Sequence, residues 1–299
     1  MNRSHKAQIM NIIAVDIGNT NIDMGLFLDG KEQFIKSIPG SSRTRLKSCL
    51  KSAWGKIPIA ESSKEKKRDG VIVLSSVKPD WTRLVQQITK DELGEKVYLI
   101  GKDIPLPMTL WVDEPDKVGT DRVVSAAAAY DVVEDAVVVA DFGTAVTIDL
   151  VDENGVFLGG VICPGFEISA KALKENTCCL VLPAAPPCVG RRGGRRRESQ
   201  RQAAQLPKTT ITRPKAPFGK NTAEAINCGL YYSAIGMLEE VIRRYAEKIG
   251  RWPQTIITGS AAKTIKEDCS FIDSFVPSLV VKGIVLAYKK YIAEKAKSI

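Results

Sequence analysis

Histidine is almost missing from this chain. The one copy, His5, lies in a polar N-terminal stretch, Met1-Asn2-Arg3-Ser4-His5-Lys6. That scarcity excludes a Ser–His or Cys–His nucleophile pair, a histidine zinc site and histidine general-base catalysis. Proton handling therefore falls to Asp, Glu, Lys or Tyr. Paired-cysteine architecture is also lacking. The seven cysteines, at 49, 163, 178, 179, 188, 228 and 269, are odd in number and contain no Cys-x-x-Cys. Neither a disulfide framework nor a zinc site is expected, and a reducing cytoplasm fits. No apolar run approaches the roughly 20 residues of a membrane span, so no membrane partner is expected. No signal-peptide core or small-residue cleavage site follows Lys6, and the first residues read as a disordered extension.

Charge is unevenly spread. The net charge is +9 over 299 residues, but residues 179–204 hold six Arg and one Glu, or +5 of that total. The remainder is mildly basic, so whole-chain charge does not argue for a nucleic-acid partner. The same stretch, with Leu182-Pro183-Ala184-Ala185-Pro186-Pro187 and Arg195-Arg196-Arg197, has no apolar period and reads as a disordered surface insertion. With 44% apolar and 26% charged residues, the rest has room for two domains with sizeable cores.

A repeated pattern organises that remainder. Ile12-Ile13-Ala14-Val15 leads into Asp16-Ile17-Gly18-Asn19-Thr20, a second extended run to Phe27, and a hairpin signal at Asp29-Gly30. Val137-Val138-Val139-Ala140 leads likewise into Asp141-Phe142-Gly143-Thr144-Ala145, a run to Val151, a turn at Glu153-Asn154-Gly155, and another run to Val161. Each copy is a strand ending in a carboxylate and a tight glycine turn, after which the chain doubles back. The spacing predicts two facing phosphate loops. Glycine lets backbone N–H groups approach an anion, Thr and Asn add donors, and the Asp orients a cation or a water.

Between and after the copies, strands and helices alternate. Helices are expected over 44–54, 80–89, 118–130, 166–176, 222–244 and 281–295, and strands over 71–76, 97–100 and 255–258, with a charged loop at 61–68. Gly119 or Thr120 is expected to cap the third helix, which puts Asp121 in its first turn. The helix dipole there favours a carboxylate ready to accept a hydroxyl hydrogen bond. Phe218-Gly219-Lys220-Asn221-Thr222 only superficially resembles a P-loop, because Asn follows the Lys and the upstream Gly is missing. Thr222 is expected as the cap of the helix that follows. Thr258-Gly259-Ser260 ends a strand in a turn of the kind where a base or ribose docks.

Two Asp-x-Gly loops and a later strand–Thr-Gly turn resemble the actin-like phosphotransferases. More narrowly, the chain resembles the type III pantothenate kinases. The motifs are Asp16 to Asn21, Gly119-Thr120-Asp121-Arg122, Asp141 to Ala145, Gly159-Gly160-Val161-Ile162-Cys163-Pro164-Gly165, Gly219-Lys220-Asn221-Thr222 and Gly229-Leu230-Tyr231-Tyr232.

The resemblance implies an α/β fold of two ribonuclease H-like domains, 1–118 and 119–299, with mixed sheets around a nucleotide cleft. It implies transfer of the ATP γ-phosphoryl group to the primary hydroxyl of pantothenate, the first step of coenzyme A synthesis. Asp16, Ile17, Gly18, Asn19, Thr20, Asn21, Ile22 and Asp23 would hold ATP phosphates, with Asp16 serving Mg²⁺. Thr144 would contact ATP, and Asp121 would take the hydroxyl proton. Gly119, Thr120, Asp121, Arg122 and Thr222 would line the pantothenate pocket, Arg122 either meeting the substrate carboxylate or staying in an ion pair. Asp141 would serve a monovalent cation, K⁺ or NH₄⁺. Cytoplasmic homodimers are implied as well. Thr120, Ser260 and Val112 depart from the residues usual in the family. The alternative is a regulatory protein of the Bvg accessory factor kind on the same fold, which the Arg-rich stretch motivates.

Overall fold

The computed structural model describes residues 11–60, 67–176 and 211–297. The expected extension at 1–6 and the expected insertion at 179–204 lie outside these residues, as does most of the charged loop at 61–68.

The first sheet is built from β1 (Ile12–Ile17), β2 (Asn21–Leu28), β3 (Lys31–Pro39), β4 (Val71–Ser76) and β5 (Val97–Leu99), with α1 (Arg43–Lys56) and α2 (Pro79–Leu93) between the later strands. A linking helix, α3 (Thr120–Val133), follows. The second sheet is built from β6 (Val137–Phe142), β7 (Ala145–Val151), β8 (Phe157–Pro164), β9 (Gln254–Thr258) and β10 (Ser274–Phe275). It is accompanied by α4 (Phe166–Asn176), α5 (Thr222–Ile249) and α6 (Ala262–Ile265), and α7 (Leu279–Lys297) comes last.

The two sheets share one topology. Their orders are β3-β2-β1-β4-β5 and β8-β7-β6-β9-β10. In each, the first three strands form an antiparallel meander, and the remaining two add in parallel to its first strand. This is the duplicated ribonuclease H-like arrangement of the actin-like fold. Hairpin chemistry sets the first meander: Asp29 and Gly30 have φ of 52° and 72°, the left-handed pair a two-residue turn needs.

Central strands need apolar residues on both faces, and the alternation sorts them. Ile13, Val15 and Ile17 join the core beneath α1 and α2, while Ile12 and Ala14 join the one beneath α7. Val138, Ala140 and Phe142 face α5, while Val137 and Val139 face α3. Each such buried Ile, Val or Phe side chain contributes about 1.5–3 kcal/mol. α7 thus packs on the first sheet, far from its neighbours in sequence. It crosses α3 so closely that a Cβ on Gly283 would run into the Val124 carbonyl.

The expected helices and strands are present. One cap differs: α5 is capped by Asn221, whose Oδ1 accepts the Glu224 N–H at 2.9 Å, rather than by Thr222. The amide oxygen of Asn reaches that donor from an extended cap residue, and Thr222 already has helical backbone. Glu224 returns the contact by accepting the Lys220 N–H at 2.8 Å. No helix among the described residues is long and apolar enough to cross a membrane.

Candidate active site

Both Asp-x-Gly loops close through the glycine N–H, the first loop being one residue longer than the second. Gly18 N–H donates to Asn21 O and Gly143 N–H to Ala145 O, each at 3.1 Å. Gly40, after β3, donates to Thr20 O, and Gly165, after β8, donates to Thr144 O, again each at 3.1 Å. The turn after β4 returns Val77 N–H to Ile17 O, and the turn after β9 returns Ala261 N–H to Phe142 O. The loops meet at their tips, where the Thr20 and Thr144 hydroxyls are 2.9 Å apart. The repeated sequence pattern therefore forms one cleft with matched walls.

Carboxylates converge behind those tips. Asp16, at the end of β1, lies opposite Asp23 on β2 and beside Ser75 on β4. Burial raises the Asp16 pKa well above its ordinary value, and the charges of Asp121, Asp23 and Asp141 add to the rise. Asp141 is pushed up to about 7, first by burial and then by Asp121, Asp149 and Asp23. Burial also raises Asp121 and Asp23, with a Ser37 hydrogen bond partly offsetting the latter. Residues from both halves thus feel one another electrostatically, and the cleft carries excess negative charge.

Asp121 opens α3 after Gly119, which caps without a side chain. Its Oδ1 accepts the Arg122 N–H at 2.8 Å, which fixes the carboxylate's orientation. Thr120 bonds the buried Ser75 hydroxyl at 2.9 Å, so α3 is tied to the strand beside Asp16. Arg122 turns away into a buried ion pair. Its Nε lies 3.1 and 3.2 Å from the two Asp149 oxygens, and an Nη also donates to Asp149. Asp149 is 2% exposed and Arg122 also lies over the Phe157 ring. Of the two roles open to Arg122, the structure shows the ion pair.

Thr222 stands exposed in the first turn of α5. Asn19, Thr20 and Asn21 are exposed at the first loop tip, whereas Ile17 and Ile22 are core residues flanking it. Gly259 has φ of 95°, and a Cβ there would lie 2.5 Å from Asp141 Oδ1, so the turn after β9 presses on the Asp141 carboxylate. Ser260 follows it, exposed. Val112 is partly buried beside α3's core and Trp111 faces outward, 73% exposed.

Among the described residues, no group of three or more His, Cys, Asp or Glu side chains is gathered to hold a metal ion. The Oδ1 atoms of Asp16 and Asp23 are nonetheless buried without a hydrogen-bond partner. Mg²⁺ needs few protein ligands when phosphates and waters supply the rest. Unpartnered buried oxygens beside the first Asp-x-Gly loop fit such a cation.

Asp149 and Ser75 were not singled out by the sequence. A charged residue at an inward position of the apolar run Val146 to Val151 was the available signal for Asp149.

A family model for type III pantothenate kinase matches residues 12–191 and 196–244. The chain belongs to that family. A type III pantothenate kinase from Agathobacter rectalis is 32% identical over 286 residues, covering 93% of this chain and 97% of the relative. One from Dehalococcoides mccartyi is 30% identical over 279 residues, with the same coverage. Among solved structures, a conserved Campylobacter jejuni protein assigned to the Baf family of transcriptional activators superposes with a TM-score of 0.53 at 16% identity. The match covers 96% of this chain and 99% of that one. That likeness is one of fold.

Proposed function

We propose that the protein phosphorylates the primary hydroxyl of pantothenate with ATP, giving 4′-phosphopantothenate, the first step of coenzyme A biosynthesis. The observation that carries this reading is the convergence of Asp121 with Asp16 and Asp141 at the meeting point of the two loops, in a chain of this family. Phosphoryl transfer needs alignment and charge neutralisation more than a strong base. Asp16 to Asp23 and Thr144 hold the ATP phosphates. Asp121, oriented by the Arg122 N–H, accepts the hydroxyl proton. Burial lifts its basicity, which suits it to that step. Gly119 to Arg122 and Thr222 form the pantothenate side. Arg122 serves there through its ion pair with Asp149, holding the start of α3. Mg²⁺, when bound beside Asp16, supplies charge neutralisation for the phosphates. Asp141 serves a monovalent cation, K⁺ or NH₄⁺.

The working division is 1–118 for the ATP-phosphate half and 119–299 for the half that adds the second loop and the base, with α7 returning to the first. The protein acts as a cytoplasmic homodimer, a reading carried by the family resemblance and by the cysteine usage. The regulatory alternative is not favoured, since the two relatives described above are named type III pantothenate kinases and the Arg-rich stretch lies outside the described residues.

The test is ATP consumption with and without pantothenate, with Mg²⁺ present, in paired K⁺ and Na⁺ buffers. Pantothenate-dependent turnover that needs K⁺ supports both the reaction and the Asp141 role. Equal turnover in both buffers removes the Asp141 role. No turnover in either removes the kinase reading.

A further inference from the structure

The cleft brings Asp16, Asp23, Asp121 and Asp141 toward the place where a polyanion must sit. Its nearest arginine, Arg122, is committed to Asp149. A triphosphate beside these carboxylates is held more tightly where the protein adds a positive group to the bound cations.

One lysine stands at the first loop. Lys78 donates from Nζ to Asn19 O at 3.2 Å, so its ammonium lies against the tip that also carries Thr20. The Nζ lies 3.5 Å from the centre of the Trp81 ring, a cation–π contact that holds the charge in place without neutralising it. Among the described residues Lys78 forms no ion pair, whereas Lys47, Lys51, Lys96 and Lys117 are all engaged by carboxylates. The backbone fixes where the side chain departs. Lys78 N–H donates to Ser76 Oγ at 3.1 Å, and Lys78 is the cap residue before Pro79 opens α2. Trp81 is itself confined, since it occupies the space that a side chain at Gly40 would need.

The pseudo-symmetry locates this lysine in the phosphate layer. Lys78 follows Val77, whose N–H binds Ile17 O behind the first loop. Ala262 follows Ala261, whose N–H binds Phe142 O behind the second. Ala262 is fully buried, so the second half places no charge at the matching position. The cation is one-sided, over the Asp16 loop.

We infer that Lys78 is a phosphate ligand of the nucleotide site, its ammonium exchanging the Asn19 carbonyl for an oxygen of the ATP polyphosphate while Trp81 holds the stem. This inference rests on the reading of the cleft as a nucleotide site and assigns it a residue. It is a contact to bound phosphate and involves no covalent step.

The test is calorimetric titration of the full chain with ATP, ADP, adenosine and inorganic tripolyphosphate, for wild type, Lys78→Met, Lys78→Gln and Lys78→Arg. Lys78→Gln keeps a donor for Asn19 O without charge, which separates a loop tether from a phosphate contact. The expected result is about tenfold weaker ATP, ADP and tripolyphosphate binding for Met and Gln, with Arg within about threefold of wild type. Adenosine binding and the Tm should stay unchanged. Wild-type ATP affinity in either Lys78→Met or Lys78→Gln overturns the inference, and so does an equal loss for adenosine. Failure of the kinase reading would look different: Lys78-dependent binding of tripolyphosphate without pantothenate-dependent turnover would leave Lys78 in place and remove the reaction. Turnover with an unchanged KM for ATP in Lys78→Met would do the reverse.

Discussion

Thr20 and Thr144, far apart in sequence, share a hydrogen bond of 2.9 Å across the cleft. Each sits at the tip of a loop whose carbonyl is held by a glycine at the end of the same meander, Gly40 and Gly165. The bond links the two halves at the point where the proposed function places the ATP phosphates. Thr20→Val and Thr144→Val should each raise the KM for ATP several-fold. In the ligand-free protein a double-mutant cycle by urea unfolding should show coupling of about 0.5–1.5 kcal/mol. Strict additivity would mean that the two hydroxyls do not interact in solution.

Asp121→Asn should lower kcat at least about 100-fold. Burial opposes the charge of this carboxylate, so the amide should leave the Tm equal to or above that of wild type. Turnover near wild type would remove Asp121 as the base.

Arg122→Met strands the buried Asp149 carboxylate. A loss of about 3 kcal/mol is expected from urea midpoints. Adding Asp149→Leu should recover most of that stability. Recovered activity in the double variant would show that Arg122 acts only through the ion pair. Recovered stability without activity would mean that Arg122 also touches pantothenate.

Asp141 gives a pH signature. Its folded pKa is about 7, against about 4 for an exposed carboxylate. Between those values the folded chain keeps a proton that the unfolded chain has released. This group's stabilisation is therefore complete below about pH 4 and lost as pH rises through 7. Asp16, also raised, acts in the same direction. In Na⁺ buffer the Tm should fall from about pH 5 to about pH 8. Saturating K⁺ should flatten that fall, and Asp141→Asn should shrink both effects. A Tm profile identical in the two salts would argue against a cation at Asp141.

Gly165→Ala would place a methyl 2.5 Å from the carbonyl oxygens of Gly143 and Thr144. The second loop must shift to admit it. A rise of about tenfold in the KM for ATP is expected, with little change in the KM for pantothenate. Equal changes in both would mean that the loop also shapes the pantothenate side.

Local patterns carried much of this architecture. The alternation in Ile12–Ile17 and Val137–Phe142, the Asp29-Gly30 turn and the paired Asp-x-Gly entries are short-range signals, and they marked both loops that meet at Thr20 and Thr144. What stayed hidden depends on tertiary contact. Asp149 reads as one polar residue in a strand until Arg122 is seen beside it. Lys78 reads as a helix-entry lysine until the loop of Asn19 is folded against it. Ile211 to Arg213 carry no motif, yet Thr212 exchanges two backbone hydrogen bonds with the Asn227 amide, and Arg213 joins Asp268, which also accepts the buried Tyr231 hydroxyl at 2.5 Å. Asn221 and Thr222 are both good caps, and only the backbone at each position decides between them.

The placement of α7 bears on how the chain acquires its structure. Val281, Ile284 and Val285 cover Ile12, Ala14 and Val73, so a helix late in the chain seals a strand made early. During synthesis that face of the first sheet stays bare until α7 has emerged. Collapse of the first half is then provisional, and the step that completes it joins α7 to a strand distant in sequence. The slow phase of refolding should accordingly report on α7, and substitutions at Gly283, where α7 meets α3, should retard it more than substitutions in the meanders.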